Sequence, residues 1–398
     1  MPSPRAFILG PWRAVLVLGV TQIIAWAALF YPCVLTLPLI AADRGWTTTF
    51  AMSGLSLALL TAGLVSPVVG RSIDFYGGHR LMPIGSLLAA IGLVLLVYST
   101  HWAAYLAVWM LLGIATAASL YDPAFATLGR IFGANARAPI TALTLAGGFA
   151  STVSWPATHI LINTYGWRGT YLVYAAVLAF VSAPLLAFAL PRNRADVLPS
   201  VHAASAKPAA ALPPSGWPFV IVAAGFAAYA FVPSGLSAHL LAIFGRAGID
   251  AATAVAIGAL FGPSQVIARI GELIVARKTH PLTVARVAVA MLLAAFALLA
   301  IAGLTATTAA IFMVMFGMAN GLITIARGTV PLALFGASGY GALIGRIAGP
   351  FLVMQSVAPL ALAAIAERTA DFGVLAAVFC HAAIAFACFA ALRRPAAA

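Results

Sequence analysis

The sequence predicts an all-α membrane protein with twelve transmembrane helices in two pseudo-symmetric six-helix bundles. Three observations predict it. Apolar residues make up 64% of the 398-residue chain and charged residues 7%, with a mean hydropathy of +1.08; a water-soluble globular chain is roughly 45–50% apolar and about 25% charged. The apolar residues fall in uninterrupted runs of the length that crosses a bilayer, about 20 residues. One polar stretch divides those runs into two sets of six that echo each other.

In chain order the spans are expected at 14–40, 48–69, 82–100, 102–128, 140–163 and 169–190, and then at 217–244, 251–275, 284–303, 307–330, 340–366 and 372–392. The opening "MPSPRAFILGPWRAVLVLGV" has no small-residue cleavage site after its apolar run and reads as a retained first helix. Residues 1–191 form one expected bundle and 217–398 the other. Between them "RNRADVLPSVHAASAKPAAALPPSG" (192–216) is rich in Ala, Pro and Ser and reads as a flexible linker. "PW" at 11–12 recurs as "GW" at 216–217, "FG" at 132–133 as "FG" at 335–336, and Pro156 as Pro359, all at an offset of about 203 residues. That pattern indicates two parallel repeats.

The net charge of +13 is an orientation signal. With the N-terminus inside, Arg5, Arg13, Arg71, Arg80, Arg130, Arg137, Arg192, Arg194, Lys207, Arg277, Lys278, Arg286, Arg393 and Arg394 share the inner face, against Arg44, Arg168, Arg246 and Arg368 outside. Lysine and arginine mark the cytoplasmic side, so both termini are expected in the cytoplasm of a bacterial cell, with the chain in its inner membrane. No nucleic-acid partner is expected, and the chain is expected to act as a monomer. Cys33, Cys380 and Cys388 build no disulfide framework, and no Cys/His cluster suggests a metal. No GxxxxGK[ST] loop and no nucleophile–base motif occurs, so neither ATP, nor any other cofactor, nor catalysis is expected.

"GRSIDFYGGHR" (70–80) gathers charge and glycine between the second and third spans. Gly70, Asp74, Gly77 and Arg80 stand at the spacing Gly-x-x-x-Asp-x-x-Gly-x-x-Arg/Lys, by which the chain resembles the major facilitator superfamily over its whole length. The resemblance implies secondary transport by alternating access, with this loop as a cytoplasmic latch. Gly70 would admit a neighbouring helix, and Gly77 a positive φ. Asp74, at a helix C-terminus, would gain from a cation or from another helix's N-terminus. Phe75 replaces the usual basic residue, and at the repeat offset Arg277 and His280 replace the aspartate and second glycine. Trp109 stands where the family's fourth-span arginine would be.

"RGWTTT…LLTAGLVSPVVGRSID" and "YGWRGTYLV" are most similar to the monocarboxylate-porter and oxalate–formate group. That resemblance implies an eighth-span arginine holding a substrate carboxylate. "GPSQVIARIGE" supplies Arg269, with Gln265 four residues earlier where some members have aspartate. The cargo is thus expected to be a small organic, monocarboxylate-like anion. Export of an arsenical or drug is the alternative within the class, with Cys33 as its thiol. A non-transporting membrane receptor is the alternative outside it.

A charge at membrane depth costs roughly 2.5–3.5 kcal/mol on insertion scales and marks function by default. Asp122 on the fourth span, Arg269 on the eighth and Arg327 on the tenth are the candidates. The resemblance places the first, fourth, seventh and tenth spans around a central cavity, with Asp122 and Arg327 facing across it as a proton-coupling pair or a gate. Gln22, Trp26 and Phe30 repeat at i, i+4 and i+8 on one face of the first span and are expected to grip substrate, with Tyr121 and Asn320. His239 is the candidate histidine, and Trp46 and Trp167 are expected as interfacial anchors.

Overall fold

The computed structural model describes residues 10–191, 216–274 and 279–393, and every regular element among them is a helix. The linker at 192–215 and Arg5, Lys207, Arg277, Lys278 and Arg394 lie outside the described residues. In chain order come α1 (Arg13–Leu29), α2 (Cys33–Arg44), α3 (Thr48–Tyr76), α4 (Gly78–Tyr98), α5 (Trp102–Ser119), α6 (Tyr121–Phe132), α7 (Arg137–Gly147) and α8 (Ala150–Val177). Then come α9 (Trp217–Arg246), α10 (Ala251–Ala259), α11 (Phe261–Ile274), α12 (Pro281–Ala302), α13 (Ala306–Phe335) and α14 (Tyr340–Ala391). Eleven segments of the described residues are long and apolar enough to cross a bilayer. One of them, Arg137–Ala189, is 53 residues long and turns at Gly166 (φ 66°, ψ 179°), between the expected fifth and sixth spans. Counted as two, it gives the expected twelve.

Several spans are less continuous than their hydropathy suggests. The first breaks at Phe30–Pro32, between α1 and α2, and the eighth at Leu260, between α10 and α11. The fourth breaks at Leu120 (φ −85°, ψ −155°), between α5 and α6. The cause is Pro123: a proline has no N–H for the carbonyl four residues back, and its ring crowds that carbonyl. The carbonyl concerned belongs to Ser119.

The chain forms two compact units, Met1–Pro214 with Phe335–Gly349, and Ser215–Leu334 with Pro350–Ala398. The start of α14 groups with the first unit because its backbone meets α3 directly. A Cβ on Gly70 would lie 2.1 Å from Gly341 O, and one on Gly345 2.3 Å from Ser66 O. Within the first unit, Leu29, Cys33, Leu37, Leu93, Tyr105, Trp109, Leu112, Tyr171 and Leu178 form a closed apolar core. Trp109 fills its position by packing on Gly54, where a Cβ would come within 2.4 Å of the indole. Hydroxyl groups within spans donate to carbonyls one turn back, as Thr21 does to Val17 O, Ser66 to Ala62 O and Thr329 to Ile325 O. In hydrocarbon such groups must be satisfied internally.

The repeat is visible in the termini of the helices. In the first unit Gly45 ends α2 at φ 67°, and Thr47 caps α3 by accepting from Phe50 N–H. In the second, at the same offset, Gly248 has φ 83° and Asp250 caps α10 by accepting from Thr253 N–H. The Thr253 side chain, together with that backbone hydrogen bond, holds the Asp250 carboxyl below its ordinary value. Asp43 pairs with Arg168 through two hydrogen bonds, 3.0 and 2.6 Å, joining the first span to the sixth. Arg246 pairs with Asp371 in the second unit, its Nε 3.0 Å from both carboxylate oxygens, joining the seventh span to the twelfth. The partners are 125 residues apart in each pair, and acid and base have exchanged places.

The Asp43–Arg168 pair is partly exposed, with side-chain exposures of 30% and 49%, so it contributes about 0.2–1 kcal/mol. Asp43→Arg should lower the thermal midpoint in detergent by a degree or two at low salt, roughly. The double reversal Asp43→Arg with Arg168→Asp should restore it, and 1 M salt should shrink both differences.

Candidate functional site

In the first unit the breaks in the first and fourth spans meet. Gln22 is fully buried on α1, and its Nε2 donates to Ser119 O at 2.7 Å and to Leu120 O at 3.2 Å. It therefore supplies the donor that Pro123 withholds. One turn along α1, the Trp26 ring lies 5.2 Å from Tyr121, 5.3 Å from Phe30 and 5.9 Å from Tyr31. Tyr121 stacks on Phe125, and its hydroxyl lies against Gly147, where a Cβ would come within 2.2 Å. The structure thus brings Gln22, Trp26, Phe30 and Tyr121 together. Asp122 is half-buried in the first turn of α6, where the helix dipole attracts an anion.

Cys33 lies apart from that aromatic group. It is 2% exposed within the closed core, and its thiol donates to Leu29 O at 3.6 Å. Trp167 is also buried, at 6%, beside the Asp43–Arg168 pair. The reason is Arg44, whose guanidinium lies 5.4 Å from the Trp46 ring and 5.3 Å from that of Trp167, while donating to Leu96 O and Ser99 Oγ. The two indoles shield a cation, an attraction strengthened by loss of water.

At the other end of the same unit, Asp74 accepts from Gly341 N–H at 2.9 Å and from Ala342 N–H at 2.7 Å. These are donors at the start of α14, where four backbone N–H groups lack helical partners. Gly77 ends α3 at φ 82°. The cation at this junction is Arg130 of α6, donating to the carbonyls of Ile73 and Asp74. Arg80 is exposed and engages none of them. Arg130 lies far from the loop in sequence, which is why motif spacing missed it.

In the second unit, side chains from three spans form one chain of hydrogen bonds. Arg269 Nη2 donates to Gln265 Oε1 at 3.1 Å, Asn320 Nδ2 donates to the same oxygen at 3.0 Å, and the Tyr229 hydroxyl donates to Asn320 Oδ1 at 3.3 Å. α11 and α13 approach closely here because Gly321 faces the Gln265 backbone, 2.6 Å from a would-be Cβ. Arg269 is 3% exposed and Glu272, one turn on, is 4%. Sequence reasoning missed Tyr229, a lone aromatic in an apolar helix, and Glu272, hidden by its nearness to the expected span end. Arg327 is 7% exposed, with its guanidinium 4.2 Å over Phe351, and belongs to this unit, whereas Asp122 belongs to the first. His239 reaches Pro359 O at 3.5 Å.

Residues 15–361 match the family model of the Major Facilitator Superfamily. The chain belongs to that superfamily, whose members are membrane transporters and not enzymes. Human monocarboxylate transporter 11 is 33% identical over 154 residues, 37% of this chain and 32% of that protein. Mouse monocarboxylate transporter 2 is 32% identical over 130 residues, 32% of this chain and 26% of that one. The matched region thus spans about a third or less of these relatives. The human organic anion transporter MFSD10 (TETRAN) has the same fold, with a TM-score of 0.69 and 15% identity, over 98% of this chain and 99% of that one.

Two substitutions test the packing. Gly70→Ala places its methyl against the Gly341 carbonyl, which is backbone and cannot rotate away. It should cost about 1–3 kcal/mol in thermal unfolding. Asn320→Leu removes one of the two donors to Gln265 Oε1 and strands the Tyr229 hydroxyl, and should cost a similar ~1–3 kcal/mol, whereas Tyr229→Phe should cost only about 0.5–1.5 kcal/mol.

Proposed function

We propose that the protein is a secondary active transporter that moves a small organic, monocarboxylate-like anion across a bacterial inner membrane by alternating access, coupled to protons. The observation that carries this reading is the buried Arg269 in its Gln265–Asn320–Tyr229 frame. Charge at membrane depth marks function by default, and the planar fork of a guanidinium fits a carboxylate. Gln265 and Asn320 hold the fork in place, and Arg327 is a second buried cation of the same unit. The likeness to proteins named monocarboxylate transporters and to one named an organic anion transporter supports an anionic cargo.

Both termini lie in the cytoplasm on this reading, since the basic residues concentrate on that side. The Asp74 junction with α14 then acts as the cytoplasmic latch. Releasing two charge-assisted hydrogen bonds is the cost of parting α3 from α14 when that side opens. Asp122 at the N-terminus of α6 is the proton-coupling or gating carboxylate, and the protein works as a monomer. The burial of Cys33 in the core favours this reading over arsenical efflux through its thiol.

Arg269→Ala should abolish carboxylate uptake into vesicles at an unchanged membrane level, and Arg269→Lys should recover part of it. Normal uptake by the alanine variant would refute the anion site. Uptake should also rise with an imposed pH gradient; indifference to gradients of either sign would remove proton coupling.

A further inference from the structure

Pro359 lies inside α14 and repeats Pro156 at the offset between the halves. A proline has no N–H for the carbonyl four residues back, and here that carbonyl belongs to Gln355. Ser234 of α9 donates to Gln355 O at 2.6 Å. His239 of the same helix has Nε2 3.5 Å from Pro359 O. The two helices meet closely at this point because Gly235 has no side chain: a Cβ there would lie 2.5 Å from Leu362 Cδ1. All of these residues belong to the second unit. In the first unit the equivalent spans are linked in the opposite direction, Ser154 of the fifth donating to Ala27 O of the first at 3.3 Å.

A carbonyl met within its own ladder is freed only by unwinding the helix. One met by a neighbouring helix is freed when the two helices shift, and is taken up again when they return. Hydrocarbon makes the freed carbonyl costly, so the serine holds the joint at one setting until something displaces α9. What can displace it lies five residues earlier on the same helix. Tyr229 donates to Asn320, which shares Gln265 with Arg269. Pro233 stands between Tyr229 and Ser234 and interrupts the ladder of α9 as well. Within one unit, α9 therefore joins the frame of the buried cation to the proline of α14.

We propose that Gln355–Pro359 is a hinge in α14, and that Ser234 is the positioning residue that sets it, releasing Gln355 O when cargo at Arg269 displaces α9. Prolines inside helices are recurrent sites of bending, and hinges of a few residues absorb the motion of switching proteins. The proposal rests on the reading of Arg269 as the cargo site. It adds which helix bends in response and which bond holds it.

The test uses the full-length protein, purified and also reconstituted in vesicles, with pyruvate and acetate as probes. Ser234→Ala strands Gln355 O and should lower the thermal midpoint by about 2–4 °C. Pro359→Ala supplies the missing N–H, so in that background the same serine change should cost less than about 1 °C. Equal costs in both backgrounds would overturn the role of Ser234. Transport separates a hinge from a fixed bend. Pro359→Ala should lower kcat about tenfold with KM within about twofold of native, and an unchanged kcat would overturn the hinge. Ser234→Ala should lower kcat about threefold, and Ser234→Thr, which keeps the hydroxyl, should restore it. Hydrogen exchange reads the joint without cargo: amides flanking Pro359 should exchange about tenfold faster in the native protein than in Pro359→Ala. Equal rates would sink the hinge. Pyruvate should change those rates in the native protein and not in Arg269→Ala; no change in either would break the link to cargo. If neither probe is carried, the carboxylate reading falls, while the exchange rates and midpoints still decide the hinge.

Discussion

Hydrocarbon offers no hydrogen bonds, and the rest of this structure depends on that constraint. Every carbonyl that leaves a helical ladder must find a donor from the protein. At Ser119 the donor is Gln22, recruited from another span because Pro123 has no N–H. Without that amide the Ser119 carbonyl would lose the donor that stands in for the missing proline N–H. With it, α6 begins inside the membrane, and an acid, Asp122, sits at its first turn. The same constraint explains the hydroxyl groups folded back onto their own helices and the carbonyls of Ile73 and Asp74 met by Arg130.

The two units answer the constraint differently. The first spends its polar side chains on broken backbone and surrounds the break with aromatic rings. The second keeps α13 continuous and links its polar side chains to one another, ending on Arg269. The first unit thus places its buried amide at a broken backbone, and the second places its amides beside a buried cation. Duplication supplied two copies of a scaffold, and the interior of each copy took its own chemistry.

Much of the fold was legible because hydropathy and turn residues report directly on lipid. The spans, the break near Gly166 and the offset between halves all follow from local composition. The interruptions at Leu120 and Leu260 were not legible, since a single proline or leucine in an apolar run leaves the hydropathy unchanged. The site was legible where a charge or amide stood alone in a greasy helix, as with Arg269, Gln265 and Asn320. Tyr229 and Arg130 were not, because their roles come from partners 91 and about 57 residues away. The burial of Trp167 was not legible, because its partner, Arg44, is joined to it only by the folding of the first span against the sixth.

The exchanged polarity of the two terminal ion pairs bears on how such a chain assembles. Asp43 and Arg246 occupy equivalent places in the halves, as do Arg168 and Asp371. Duplicated bundles invite an error in which a helix of one copy closes against the other. If the first span closed on the twelfth, Asp43 would meet Asp371; if the seventh closed on the sixth, Arg246 would meet Arg168. Each wrong closure sets like charges together, while each right one makes a two-pronged pair. A duplication that had kept one polarity would lack this discrimination, so inverting the charges gives each half a means of recognising its own last helix.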